Sequence, residues 1–318
     1  MKKIFVTGAT GQIGSELVPE LRKKYGRDNV IMGLFDKQPE GDLADGPSEK
    51  CDVRDKKKIE EIVREYGVGS IIHLSSILSA TGEQNPQLAF DVNMKGLYNV
   101  LEVSKEQSIE KLIYPSSIAV FGPDTPKENT PNETILRPST MYGITKVAGE
   151  LLGNYYFEKF GLDVRGLRYP GIISWKTPPG GGTTDYAVAI YYEAIKQKKY
   201  TCFVREDTML PMMYMPDAIK ALMDLAEAKL GNLKHHADYN LGAMSFTAGE
   251  LAESIKQEIP GFTCTYEPDF RQKIADSWPK SIDDSAARKE WGWKPEYDLT
   301  AMTKDMLKNL KEKLKEEK

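Results

Sequence analysis

The segment Lys3-Ile4-Phe5-Val6-Thr7-Gly8-Ala9-Thr10-Gly11-Gln12-Ile13-Gly14 decides the fold. Its first residues form a short apolar run with β-branched members, the composition of a buried strand. The glycines follow at once in a GxxGxxG spacing, and a helix-like stretch over 13–25 comes after them. A tight turn between strand and helix brings backbone N–H groups and the positive helix end against a pyrophosphate. Glycine is needed where a Cβ would block that approach. In isolation such a turn says little. A strand in front and a helix behind supply the context that a dinucleotide site requires. Gly8, Thr10, Gly11, Gln12, Ile13 and Gly14 are therefore the candidate pyrophosphate-binding residues.

About twenty residues further on, Leu34-Phe35-Asp36 closes the second strand-like run. A carboxylate at that point accepts hydrogen bonds from the adenosine ribose and repels a 2′-phosphate. Asp36 thus selects NAD over NADP, with Lys37 the one neighbour that softens the preference. In Cys51-Asp52-Val53-Arg54-Asp55, Asp52 and Val53 are read at the next strand end, where a carboxylate meets the adenine amino group. Asp55 fits better as the N-cap of a helix over 56–66.

The same rhythm continues through the first half. Segments 4–7, 30–35, 70–74, 112–115 and 164–169 read as buried strands, with helices near 13–25, 56–66, 86–106 and 142–160. Strands alternating with helices imply crossovers and a parallel sheet covered on both faces. The expected fold is α/β, a Rossmann-type doubly wound parallel sheet with a smaller C-terminal substrate-binding cap. Residues 1–169 form the NAD-binding domain in this reading, with segments near 210–243 returning to it. Residues 170–318 supply mainly the cap and the C-terminal helices. Pro178-Pro179-Gly180-Gly181-Gly182 marks a loop, followed by helices near 186–197, 217–228 and 248–259. The last of these opens on a capping-box spacing from Thr247 to Glu250. A short helix within 281–293 and a charged helix over 299–318 complete the chain.

The totals suit a globular protein of 318 residues, 40% apolar and 28% charged. A net charge of −4 gives no broad attraction to nucleic acid. No apolar run reaches membrane-spanning length. The chain passes directly from Met1 into its first strand, which leaves no signal or transit segment in this reading. Cys51, Cys202 and Cys264 show neither metal-ligand nor disulfide spacing. His73 reads as structural, and His235 and His236 as surface loop. The expectation is a cytoplasmic protein with a small-molecule substrate and no metal, nucleic-acid or membrane partner.

Tyr142/Lys146, Tyr155/Lys159 and Tyr192/Lys196 each place a tyrosine and a lysine at i, i+4, on one helical face. An aromatic packed beside a solvated lysine explains most such pairs. Context separates the first. It opens a helix after Arg137-Pro138-Ser139-Thr140, has Gly143, Ala148 and Gly149 around it, and follows Ser117. Ser117 lies just past the carboxyl end of a strand, the edge at which open α/β sheets bind ligands.

At these residues the chain resembles the extended short-chain dehydrogenases/reductases. The likeness rests on the 8–14 turn, on Ser116-Ser117-Ile118-Ala119-Val120-Phe121-Gly122 and on Tyr142-Gly143-Ile144-Thr145-Lys146. Arg168-Tyr169-Pro170-Gly171 and Met215-Pro216-Asp217 extend it over nearly the whole chain. The resemblance implies Tyr142 as acid/base, Lys146 on the nicotinamide ribose and lowering the tyrosine pKa, and Ser117 orienting the substrate oxygen. It also implies that Leu74, Ser75, Tyr169 and Ile172 line the cofactor, and that two subunits pair through helices 86–106 and 142–160. A free tyrosine has a pKa near 10, so a base useful near pH 7 needs about 4 kcal/mol. One cation about 4 Å away at an effective dielectric of about 20 supplies that much.

The reaction is narrowed by four segments. Ser117-Ile118-Ala119-Val120 lacks the acidic residue that dehydratases of this family carry there. The hydroxyls after His73, the segment Thr183-Thr184-Asp185, and the methionine-rich 208–217 stretch point away from sugar nucleotides. Within the family these features resemble the short-chain type of L-threonine 3-dehydrogenase. That resemblance implies an amino-acid substrate, with Asp185 on its ammonium, Ser79 with Thr183 or Thr184 on its carboxylate, and Trp278 against its methyl group. Helix capping by Thr183–Asp185 and simple packing by Trp278 stand as plainer readings of the same residues. A nucleotide-sugar 4-epimerase with tightly held NAD, and a non-catalytic NAD-binding regulator, are the competing functions.

Overall fold

The structure, a computed structural model, describes residues 3–316. The chain opens with β1 (Lys3–Thr7), α1 (Gly14–Tyr25), β2 (Val30–Leu34), β3 (Ser48–Lys50), α2 (Lys56–Tyr66) and β4 (Val68–His73). Next come α3 (Ser79–Gln84), α4 (Pro86–Phe90), a π-helical turn (Asp91–Lys95) and α5 (Gly96–Glu106). Then follow β5 (Lys111–Ile113), β6 (Ser116–Ser117), α6 (Met141–Phe160), β7 (Asp163–Arg165), β8 (Leu167–Tyr169) and β9 (Gly171–Ile173).

The main sheet has the order β3-β2-β1-β4-β5-β7, and every pairing in it is parallel. Alternating strand residues serve opposite faces. Phe5, Ile31, Ile71 and Leu112 pack with α2, α5 and α6. Ile4, Val6, Met32, Ile72 and Ile113 pack on the other face with α1. This is the doubly wound Rossmann arrangement expected from the alternating runs.

Two expected strands are interrupted, each for a physical reason. Pro115 has no N–H for a ladder and separates β5 from β6. Gly166 separates β7 from β8 at a crossing where a Cβ would stand 2.4 Å from the Ala237 carbonyl oxygen. The expected helix 86–106 carries the π turn in its middle.

The second half holds α7 (Tyr186–Gln197), β10 (Lys199–Cys202), β11 (Met209–Tyr214), α8 (Met215–Glu227), β12 (Tyr239–Asn240) and β13 (Met244–Thr247). It ends with α9 (Ala248–Glu258), β14 (Thr263–Tyr266), α10 (Arg271–Ser277), α11 (Ser285–Trp291) and α12 (Leu299–Glu316). The last two residues of the expected 299–318 helix lie outside the described residues. The capping box at Thr247 and Glu250 is formed in both directions. Met215, Ala218, Leu222 and Leu225 of α8 share a core with Val6 and Leu17, and β12 pairs with β8. The C-terminal end of α8 is tied down by Arg165, whose guanidinium donates to the Leu225 and Ala228 carbonyls at 2.6 and 2.7 Å. A cation suits that negative end of the helix. A second core joins α7, α9, β11 and α12 with residues 118–121 and Tyr142. The cleft lies where these two cores meet the carboxyl edge of the sheet.

Candidate active site

The turn after β1 shows why its glycines are there. Gly8 has φ +66°, and a Cβ on it would stand 2.7 Å from the Ser75 backbone nitrogen. A Cβ on Gly14 would stand 2.6 Å from the carbonyl oxygens of Gly8 and Ala9. The turn therefore lies tight against the end of β4. The backbone N–H groups of Gln12 and Ile13 find no acceptor among the described residues. Unpaired donors at a helix start are what a pyrophosphate needs.

The other expected cofactor residues fall in one line along neighbouring strand ends. Asp36 and Lys37 are exposed beyond β2, Asp52 and Val53 follow β3, and Leu74 and Ser75 follow β4. This line and the open turn fit an extended dinucleotide. Asp52 is less free than the sequence suggests, because Arg54 binds both its carboxylate oxygens, at 3.0 and 2.6 Å, and lowers its pKa. Asp55 caps α2 by accepting from the Lys58 N–H, as expected.

Ser117, Tyr142 and Lys146 come together. Thr140 caps α6 by accepting from the Gly143 N–H at 3.0 Å. A Cβ on Gly143 would stand 2.2 Å from the Ala119 carbonyl oxygen. That close approach seats the first turn of α6 on the 118–120 turn that follows Ser117. All three side chains line one cavity of about 130 Å³ with Ser79, Thr183, Thr184, Asp185 and Trp278. Gln12, Ile13, Leu74, Tyr169 and Ile172 line the same cavity.

Burial governs the charges here. It pushes the Tyr142 phenol up to about 12, with the Ser117 hydroxyl acting in the opposite direction. It pushes Lys146 down to about 7, with Glu150 opposing. The expectation that Lys146 brings the phenol toward neutrality is thus corrected for the protein alone. Desolvation disfavours both charged forms.

Asp185 stands at the N-cap of α7 but makes no capping bond with its side chain. Its Oδ2 instead accepts from the Gly181 and Gly182 N–H groups at 2.8 and 2.9 Å. This clasp folds the glycine loop over the cavity and leaves Oδ1 without a hydrogen bond among the described residues. Ser79 and Thr183 share a hydroxyl pair at 3.0 Å.

Two features escaped the sequence reading. Asn93, on the π turn, bonds the Ile77 N–H and carbonyl at 2.8 and 3.1 Å and the Thr145 hydroxyl at 3.2 Å. It ties the segment after β4 to α6, and nothing in its local sequence marks it. Glu150 and Arg168 form a buried bidentate pair at 2.9 and 2.8 Å, and Ser116 donates to the same carboxylate. Glu150 stands four residues after Lys146, so a search for i, i+4 partners finds it.

Residues 4–242 match the family described as NAD dependent epimerase/dehydratase. A Staphylococcus saprophyticus protein, described as an uncharacterized epimerase/dehydratase, is 51% identical over 100% of this chain and 99% of its own. The structure of an L-threonine dehydrogenase from Clostridium difficile shares 54% identity over 98% of each chain, with a TM-score of 0.95. A monomeric L-threonine 3-dehydrogenase from a metagenome, in its apo form, shares 52% identity over 97% of this chain and 99% of its own, with a TM-score of 0.94. The chain belongs to the NAD-dependent epimerase/dehydratase family, within the extended short-chain dehydrogenases/reductases.

Proposed function

We propose that this protein oxidises the side-chain hydroxyl of L-threonine to 2-amino-3-oxobutanoate, with NAD as its cofactor. The observation that carries the reading is the single small cavity where Ser117, Tyr142 and Lys146 meet Ser79, Thr183, Thr184, Asp185 and Trp278. Its lining offers hydroxyls and one carboxylate and, apart from Lys146, no basic side chain for a diphosphate. The two solved relatives named as threonine dehydrogenases, each above half identity, support the same substrate.

The 8–14 turn, Asp36 and the 74–75 segment would hold NAD, which when bound would supply the hydride acceptor for the carbon that bears the hydroxyl. Ser117 orients the substrate oxygen toward the Tyr142 phenol. Tyr142, once ionised, removes the hydroxyl proton. Lys146 holds positive charge beside the phenol and would hold the nicotinamide ribose. Asp185 offers Oδ1 to the substrate ammonium, and the Ser79 and Thr183 hydroxyls receive its carboxylate. Trp278 closes an apolar wall against the methyl group.

The test is direct. The protein mixed with NAD and L-threonine should produce NADH steadily, read by absorbance. Interconversion of a UDP-sugar without NADH would replace this reading by the epimerase one. Asp185→Asn keeps an oxygen for the Gly181 and Gly182 N–H groups but removes the charge. It should raise the KM for threonine about tenfold or more and leave NAD affinity unchanged, by calorimetry. An unaltered KM would take Asp185 out of the ammonium site.

The assembly reading is a homodimer through α5 and α6. Tyr98, Ile144, Leu151 and Tyr155 are 50%, 51%, 64% and 50% exposed. Ile144, Leu151 and Tyr155 recur at spacings that keep them on one side of α6, which matches a helix-pairing surface. Leu151→Glu should halve the mass seen by sedimentation. A wild-type monomer, as in the metagenome relative, would end this reading.

A further inference from the structure

Lys146 is only 5% exposed, yet among the described residues its ammonium has one acceptor, the Pro115 carbonyl at 2.8 Å. An ammonium carries three donors, and a buried charge so sparsely paired is costly. Aromatic faces meet the remainder. The Lys146 nitrogen lies 4.5 Å from the centre of the Tyr114 ring and 5.5 Å from that of Tyr142.

Tyr114 needs a notch in α6 to be there. A Cβ on Gly149 would stand 2.6 Å from Tyr114 Cε1 and 2.7 Å from its hydroxyl oxygen. The hydroxyl itself is buried and makes no hydrogen bond. The ring, not its polar end, is therefore what the site uses. Beyond it, His73 stacks on Tyr114 at 6.1 Å between centroids, with Nδ1 bound to the Thr7 hydroxyl at 2.8 Å. Burial and the nearby Lys146 hold His73 neutral, its pKa pushed down to about 3. No second cation then competes for the Tyr114 face. The groups facing Lys146 are thus Tyr114 from β5's end, His73 from β4, and Tyr142 and Glu150 from α6.

We propose that Tyr114 is a positioning residue whose ring face holds the Lys146 ammonium charged beside Tyr142. The consequence for catalysis rests on the dehydrogenase reading; the titration that tests the contact does not. Glu150 assists, since its carboxylate favours the ammonium.

The test replaces Tyr114 by phenylalanine and by 3,5-difluoro- and 3,4,5-trifluorophenylalanine, which keep the ring shape and progressively weaken its negative face. Lys146 is titrated by carbon-13 NMR of the full chain without substrate, its signal assigned with Lys146→Met. Phenylalanine should leave the Lys146 pKa in place. The trifluoro ring should lower it by about one unit, the size of a desolvated cation–π contact. In the active enzyme the descending limb of kcat against pH should move to lower pH by the same amount, with the threonine KM unchanged. A Lys146 titration indifferent to fluorination overturns the proposal. So does a full shift already present in Tyr114→Phe, which would assign the effect to the hydroxyl. If the protein produces no NADH from threonine, the function reading fails, while the NMR titration still decides the fate of this one.

Discussion

Tyr142→Phe is expected to lower kcat for threonine oxidation by about 10³-fold or more, with NADH affinity and folding stability close to wild type. The substitution removes one oxygen. The ring remains beside the Lys146 ammonium, 5.5 Å from its centre, and the helix start under it is set by Thr140 and Gly143 rather than by the phenol. The size of the loss follows from removing the group that takes the substrate proton. The pH profile makes the assignment specific. In the protein alone the phenol is held up to about 12 by burial, so it is protonated near neutral pH and the base must be generated in the complex. Its ionised form is the active one, so wild-type kcat should climb with pH as the phenol ionises. Lys146 works in the opposite sense: pushed down to about 7, it loses its charge as pH rises and closes the profile from above. Residual activity in Tyr142→Phe should lack the ascending limb. Activity retained within a few fold, or NADH affinity lost along with turnover, would remove Tyr142 from the role of base.

The sequence was most readable where backbone chemistry leaves few choices. The 8–14 turn announces itself because Gly8 needs positive φ and Gly14 meets two carbonyl oxygens. Asp55, Thr140 and Thr247 could be read as helix starts because capping is local. The hydroxyl and carboxylate groups of the cleft were recognisable through the family likeness, and they line one cavity. What local reasoning could not supply are relations between distant segments. Asp185 was given a choice between capping and substrate; its clasp on the Gly181 and Gly182 N–H groups is neither. Asn93 depends on a π turn that no periodicity reveals. The parallel β10–β14 pair joins segments more than sixty residues apart, and neither was assigned an element. The phenol's raised pKa depends on burial, which a pairwise charge argument from spacing omits.

The largest expected effect on stability comes from Arg168, which is also such a relation between distant segments. Its guanidinium bonds Glu150 through two nitrogens at 2.9 and 2.8 Å, the Asn132 carbonyl at 2.8 Å and the Asn240 side chain at 3.1 Å. Both charged side chains are 3% exposed. Arg168→Leu leaves Glu150 without its cation, and removing one partner of a buried pair costs about 3–5 kcal/mol. Urea unfolding should show that loss as a lower midpoint with a similar slope. The Glu150 pKa is already raised by burial, with Arg168 opposing, and without Arg168 it rises further. The folded variant then holds a proton that the unfolded chain has released, so its deficit should shrink as pH falls through that raised pKa. It should be smallest below the carboxyl's unfolded value, about 4.3. Glu150→Leu combined with Arg168→Leu should recover much of the loss, because no buried charge is left unpaired. Ser116 would still lose its acceptor, so Ser117 beside it should be less well held. The double variant should therefore regain stability without regaining full kcat. A single variant that loses less than about 1 kcal/mol, or a double variant no more stable than the single, would mean that the pair is not what fixes the serine segment against α6.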